Sequence, residues 1–216
     1  MADVDTTVTL IRNRVGRFTA STDIDASIIL EMAAAQARLE SMPTKPWFGL
    51  TEVDDLAISA GTADYALPAD FIQMAGNEFA FRLVDADDAV TFPEYTDPAD
   101  AMKEFPPEST DQDLPTKFAI INNNFRFWAT PDQTLTGKYW YYAKDTVPAA
   151  AGAENNWLKY YSGLLVAETC YYMTAFYLGD VARAQLWEAE RNRLYNIYRN
   201  EVVAREMAIR DATPED

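Results

Sequence analysis

The chain has 216 residues, 49% of them hydrophobic, and a formal net charge of −16, enough for one large domain or two small ones with a real core. It holds no histidine and a single cysteine, Cys170, which excludes imidazole bases, Ser-His-Asp and Cys-His nucleophiles, thiolate zinc sites and an internal disulfide. So acidic a chain is poorly suited to gripping nucleic acid through its phosphates.

The first residues show no basic region followed by an apolar stretch, so no signal peptide is expected. The longest apolar stretch, Leu164 to Leu178, contains Glu168 and Thr169 and is shorter than the ~20 residues a membrane span needs. The acid is concentrated: residues 43–116 carry 16 Asp and Glu against Lys45, Arg82 and Lys103. The stretch 180–210 carries six Arg, five acids and no Lys.

Two N-terminal helices are predicted. Thr6 or Thr7 caps the first, with Val8, Ile11 and Val15 on one face before Gly16. Ser21-Thr22-Asp23 opens the second, which shows Ile24, Ile28, Met32 and Leu39 and ends before Pro43. Residues 47–145 read as β-structure with long loops. Trp47-Phe48-Gly49-Leu50 and Leu56-Ala57-Ile58 are candidate strands, Asp54-Asp55 is an exposed turn, and Phe79-Ala80-Phe81-Arg82-Leu83 alternates only weakly. Pro68 fixes a turn anchored by Leu67 and Phe71. Asp97 opens a short helix over 98–105, and 106–116 is a loop. Lys117–Ile121 and Phe125–Trp128 flank Asn122-Asn123-Asn124, a tight hairpin because Asn tolerates left-handed backbone. Leu135–Ala143 adds a third strand, predicting a three-stranded antiparallel meander.

Pro148–Gly152 is a small-residue linker. Asn155 or Asn156 caps a long helix from Trp157 to Leu178 that is apolar on most of its circumference. Such a helix is packed from several directions, some of them supplied by a neighbouring subunit. This makes Leu165 and Phe176 candidate subunit-interface residues. Gly179 ends the helix and Asp180 caps the next, giving an αα-hairpin. The last helix shows Trp187, Leu194, Tyr198 and Val202 at helical spacing, and residues 212–216 form a polar tail.

Chemistry finds little support. Asp85-Ala86-Asp87-Asp88 starts like a calcium loop but lacks the glycine and the closing Glu of that pattern, and reads as a solvated loop. Glu188 and Glu190 do not share a helix face. No GxGxxG or P-loop is present. Tyr139-Trp140-Tyr141-Tyr142 offers rings for stacking, but alternation sends half of them inward. Cys170 reads as a buried core thiol. No metal, cofactor or catalytic set is expected, and a structural protein is favoured over an enzyme. The alternatives are a carbohydrate-binding module that uses Trp140 and its neighbours and a cell-wall hydrolase working through paired carboxylates.

The order of motifs carries more than any one of them. Two N-terminal helices precede Leu67-Pro68-Ala69-Asp70-Phe71, then Leu114-Pro115, Phe118-Ala119-Ile120, Asn124-Phe125-Arg126-Phe127, Pro131-Asp132, Leu135 and Tyr139–Ala143. Asn156-Trp157-Leu158, the Tyr161–Tyr171 stretch and a final helix with Trp187 and Glu190 follow. This resembles the head-to-tail adaptor (connector or head-completion) proteins of tailed phages over nearly the whole chain. It departs at Ala129-Thr130, where the family often has a further proline.

The resemblance implies a virion protein, made in the host cytoplasm, at the head–tail junction. It implies a ring of twelve copies docked on the portal protein, prolonging the DNA channel and seating tail or nozzle proteins. DNA passes through without specific binding, and no membrane is involved. The fold class expected is α+β: a bundle of long antiparallel helices, made of the N-terminal pair (1–46) and a C-terminal αα-hairpin and tail (149–216), with an antiparallel β-region (47–148) inserted. In that setting Arg199, Arg205 and Arg210 are candidate portal contacts, since Arg suits interfacial ion pairs. Asp85, Asp87 and Asp88 are candidates for the channel surface, where they would repel DNA.

Overall fold

A computed structural model describes residues 3–16, 22–75, 81–105, 112–148 and 153–212, without the side chains of residue 22 and residues 206–212. The chain forms two compact units. One comprises residues 1–48 and 145–216, the other residues 49–144.

The first unit is helical. Helix α1 is Val4–Val15, capped by Asp3, whose side chain accepts from the Thr6 amide at 2.7 Å. The cap is therefore Asp3 rather than Thr6 or Thr7, and Thr7 is spent on the Asp3 carbonyl instead. Gly16 ends the helix at φ 73°, a left-handed conformation that glycine adopts without strain. Helix α2 is Thr22–Ser41; Ser21, expected to open it, lies outside the described residues. Helix α4 is Asn156–Tyr172, capped by Asn155 and kinked at Tyr161, and a π-helical turn, Met173–Tyr177, follows it. Gly179 (φ 61°) breaks the chain and α5, Val181–Ala212, returns. Helix α4 packs on α1, α2 and α5. Val8, Ile11, Ile28, Met32, Leu39, Trp157, Leu165, Tyr198 and Val202 all enter one core.

A buried polar knot ties residues 145–157 to α2. Gln36 Nε2 donates to Glu40 Oε1 (2.9 Å) and to the Asp145 carbonyl (3.0 Å), and Asn155 Nδ2 donates to Gln36 Oε1 (2.7 Å). Trp157 Nε1 donates to Glu40 Oε1 at 3.1 Å. Each buried group finds a partner, as burial demands.

The second unit is built from two sheets. Strands are β1 (Leu50–Ile58), β2 (Asp64–Ala66), β3 (Phe71–Met74), β4 (Phe81–Val84), β5 (Val90–Thr91), β6 (Glu94–Tyr95), β7 (Lys117–Ile121), β8 (Asn124–Trp128) and β9 (Leu135–Ala143). The order is β1-β9-β4-β5 in one sheet, with β3 also on β9, and β2-β8-β7-β6 in the other. Ile58, Phe81, Leu83, Phe118, Phe125, Phe127, Leu135 and Tyr139 fill a mainly aromatic core. Helix α3, Pro98–Glu104, is capped by Asp97 as expected. Its Ala101 joins Ala119 and Trp128 in a small separate cluster. The β7–β8 turn has Asn122 at φ 49° and Asn123 at φ 65°, the left-handed pair that a two-residue hairpin requires.

Several expectations are corrected. The chain is α+β, but its helices do not make a bundle of long helices: about 48% is helical and the β-structure is substantial. The reason is physical. Gly16 stops α1 after 12 residues, α4 is kinked at Tyr161, and residues 49–144 close around a core of their own. The meander is also wrong. Strand β9 leaves β7–β8 and pairs with β1, β3 and β4, because the segment after Trp128 turns away at Pro131, which has no N–H to continue a ladder. Gly137 admits β9 between its neighbours: a Cβ there would meet Ile58 Cδ1 at 3.1 Å and Phe81 Cε1 at 3.2 Å. The β-region is not wholly antiparallel, since β6 runs parallel to β7. Trp47–Gly49 is a 3-10 turn. Asp54-Asp55 is exposed as expected, but it is no turn: it is the bulge of a single strand, where Val53 pairs with Tyr139 and Leu56 with Gly137. Phe79-Ala80, residues 106–111 of the expected loop and residues 149–152 of the expected linker lie outside the described residues.

Candidate interaction surfaces

Helix α4 was expected to need a neighbouring subunit to cover it. Over residues 164–170 the cover comes from within the helical unit, where Leu165 and Cys170 are fully buried and Leu164 and Val166 nearly so. Leu165 is therefore a core residue and offers no free surface. Phe176 differs: it is 71% exposed. It lies in the π-helical turn. The Leu178 amide reaches back to the Met173 carbonyl, and the Thr174 hydroxyl donates to the carbonyls of Cys170 and Tyr171. Phe176 and Tyr177 end this wider turn, and both are exposed. Val181 and Leu186 on α5 are exposed as well, at 67% and 72%, so this hairpin carries large apolar side chains in water.

On the same unit, Glu168 is a buried carboxylate between two arginines. Arg38 Nε donates to Oε1 at 2.9 Å, and Arg38 also bonds Glu31 at 2.6 Å. Arg191 Nε stands 3.7 Å from Oε2. A cleft of about 470 Å³ opens here, lined by residues that include Arg38, Leu164, Glu168, Arg191 and Tyr195.

Of the three C-terminal arginines, Arg199 is exposed. Arg205 pairs with Glu201 at 3.0 Å and lies 4.7 Å from the Trp47 ring centroid, so it is engaged within its own unit. The Arg210 side chain lies outside the described residues. Asp87 and Asp88 are exposed at the β4–β5 turn. Asp85 accepts from the amides of Asp87 and Ala89, each at 2.9 Å, and Asp88 sits at φ 63°. The acidic turn is thus shaped by its own backbone.

Tyr139 and Tyr141 point into the sheet core, and burial pushes both phenols up to about 12. Trp140 and Tyr142, which alternate with them, are half-buried, so strand β9 carries two partly covered rings on its other face. The Cys170 thiol is buried and pushed up to about 12 by desolvation, opposed weakly by Arg14; no sequence neighbour announced that arginine. Among the described residues no group of three acidic or sulfur ligands is arranged to hold a metal, and no helix is long and apolar enough to cross a membrane.

A family model described as SU10 adaptor protein matches residues 6–213. No curated protein matches the chain.

Proposed function

Since the chain belongs to the SU10 adaptor protein family, a family of phage structural adaptors, we propose that it is the head-to-tail adaptor of a tailed phage. In this reading twelve copies form a ring beneath the portal, prolong the DNA channel and give tail or nozzle proteins a platform. The observation that carries the proposal is the extent of the family match, which takes in both units of the fold. The role is structural: the protein holds components together and shapes a passage.

Two features support particular contacts. The exposed apolar residues Phe176, Tyr177, Val181 and Leu186 form the copy-to-copy interface. Association removes apolar surface from water, which is the dominant favourable term in most assemblies. The Asp85–Asp88 turn faces the channel or its mouth, where its charge repels the DNA backbone over about 8 Å at physiological salt. Arg199 and the segment after it contribute to the portal contact.

Electron microscopy of the purified protein mixed with portal rings tests the proposal. A second ring of density stacked on one end of the portal, with a matching rise in complex mass, is expected. Protein that remains unbound at micromolar concentrations of both partners would refute the portal contact.

A further inference from the structure

We propose that the cleft bounded by α2, α4 and α5 is a receptor for a primary ammonium on an alkyl stem, the end of a lysine side chain presented by a partner protein. The central observation is the unequal treatment of the two Glu168 oxygens. Oε1 accepts from Arg38 Nε at 2.9 Å. Oε2 is buried, and no donor among the described residues reaches it within hydrogen-bond range. Arg191 is the nearest cation, but its Nε stops 3.7 Å short. Its guanidinium lies 4.5 Å from the Tyr171 ring centroid and extends towards Glu188 at 3.8 Å. A buried carboxylate oxygen without a donor is costly, and an entering donor recovers that cost.

The surroundings select the kind of donor. Arg38 and Arg191 face three carboxylates, Glu31, Glu168 and Glu188, so one further positive charge balances the cluster. A guanidinium binds carboxylate best as a fork across both oxygens, and Arg38 already holds one of them. The single remaining oxygen suits the compact point charge of an ammonium. Leu39, Met42, Leu164 and Tyr195 also line the cleft and accept the apolar stem, as lysine stems commonly do. A lysine of any partner protein, ring-forming or not, meets these requirements.

The test is a nuclear magnetic resonance titration of the isotope-labelled full chain with n-butylammonium chloride at constant ionic strength. Ethylguanidinium chloride and sodium acetate serve as comparisons. Saturable shifts of the Asn192 and Tyr195 amides are expected with n-butylammonium, at lower concentration than with ethylguanidinium, and none with acetate. Glu168→Gln should weaken the effect roughly tenfold or more, the loss of one charge-assisted hydrogen bond. Because Glu168→Gln also unpairs Arg38, Asn192→Trp provides a second variant: it plugs the cleft from an exposed position and should abolish the shifts with circular dichroism unchanged. No saturable shift in the parent chain, tighter binding of ethylguanidinium or acetate, or undiminished binding by a folded Asn192→Trp protein would overturn the assignment.

Discussion

The guanidinium of Arg38 lies 3.5 Å from the ring centroid of Tyr172. It is held there while its nitrogens bond Glu168 and Glu31, so one side chain joins α2 to α4 by stacking and by charge. Arg38→Met removes the only hydrogen-bond donor to Glu168 among the described residues and leaves a buried carboxylate with Arg191 at 3.7 Å. The expected loss is about 3 kcal/mol in urea unfolding. Arg38→Met combined with Glu168→Met should be less damaging than Arg38→Met alone, because the more deeply buried of the two carboxylates is gone, while Glu31 loses Arg38 in both variants alike. A double variant that is less stable than the single one would show that the ion pair itself, not the orphaned charge, supplies the stability.

Leu165 and Phe176, eleven positions apart on one helical stretch, separate folding from assembly. Leu165 is fully buried, so Leu165→Ala should cost about 2–5 kcal/mol. Phe176 is 71% exposed, and Phe176→Asp should change stability by no more than about 0.5 kcal/mol. In the proposed ring, however, the new charge falls in an apolar interface and should prevent assembly on the portal. Electron microscopy of a folded Phe176→Asp protein that still forms rings would remove this surface from the interface.

Local chemistry made much of this fold legible. Asp97 before Pro98, Asn122-Asn123 between two apolar runs, Asn155 before Trp157 and Gly179 before Asp180 each act on a few neighbouring residues, and each does in the structure what its chemistry requires. What escaped depends on distant partners. Nothing within Leu135–Ala143 says that it pairs with β1 rather than β8. Nothing near Glu40 announces Trp157, 117 positions away, as a hydrogen-bond donor. The same holds for the candidate surfaces. Alternation exposed the inward rings of β9, whereas counting apolar residues around α4 could not say that α1, α2 and α5 already cover Leu165.

Alkaline pH should destabilise the protein in a defined window. Burial raises the Cys170 thiol from its ordinary 9.0 to about 12 and the Tyr139 and Tyr141 phenols from 10.0 to about 12. The unfolded chain releases these protons first, so between the two values the folded state binds more protons. Stability is then complete below about pH 9 and falls as pH rises towards 12. The thiol alone contributes a slope of roughly 1.4 kcal/mol per pH unit in that window. Cys170→Ala should move the onset of the fall from about pH 9 to about pH 10 in denaturant titrations, whatever it does to the plateau. An onset that stays near pH 9 would show that another group drives the loss.

The acidic turn between β4 and β5 permits a test of charge with little effect on structure. Asp85 holds the turn by accepting from the amides of Asp87 and Ala89, and asparagine keeps an acceptor oxygen for those bonds. Asp88 has φ 63°, a conformation that asparagine tolerates at least as well. Replacing Asp85, Asp87 and Asp88 by Asn should therefore leave stability within about 1 kcal/mol of the parent while removing three negative charges from one exposed site. If the turn lines the DNA channel, the loss weakens repulsion of the phosphate backbone. Phage carrying the triple variant should then eject their genomes more slowly, and rings should retain DNA at low salt, where screening is weakest. Both effects should fade as salt is raised, because only an electrostatic origin carries that dependence. Ejection at the parental rate at every salt concentration, or a ring structure with this turn on its outer wall, would assign the acid to solubility instead.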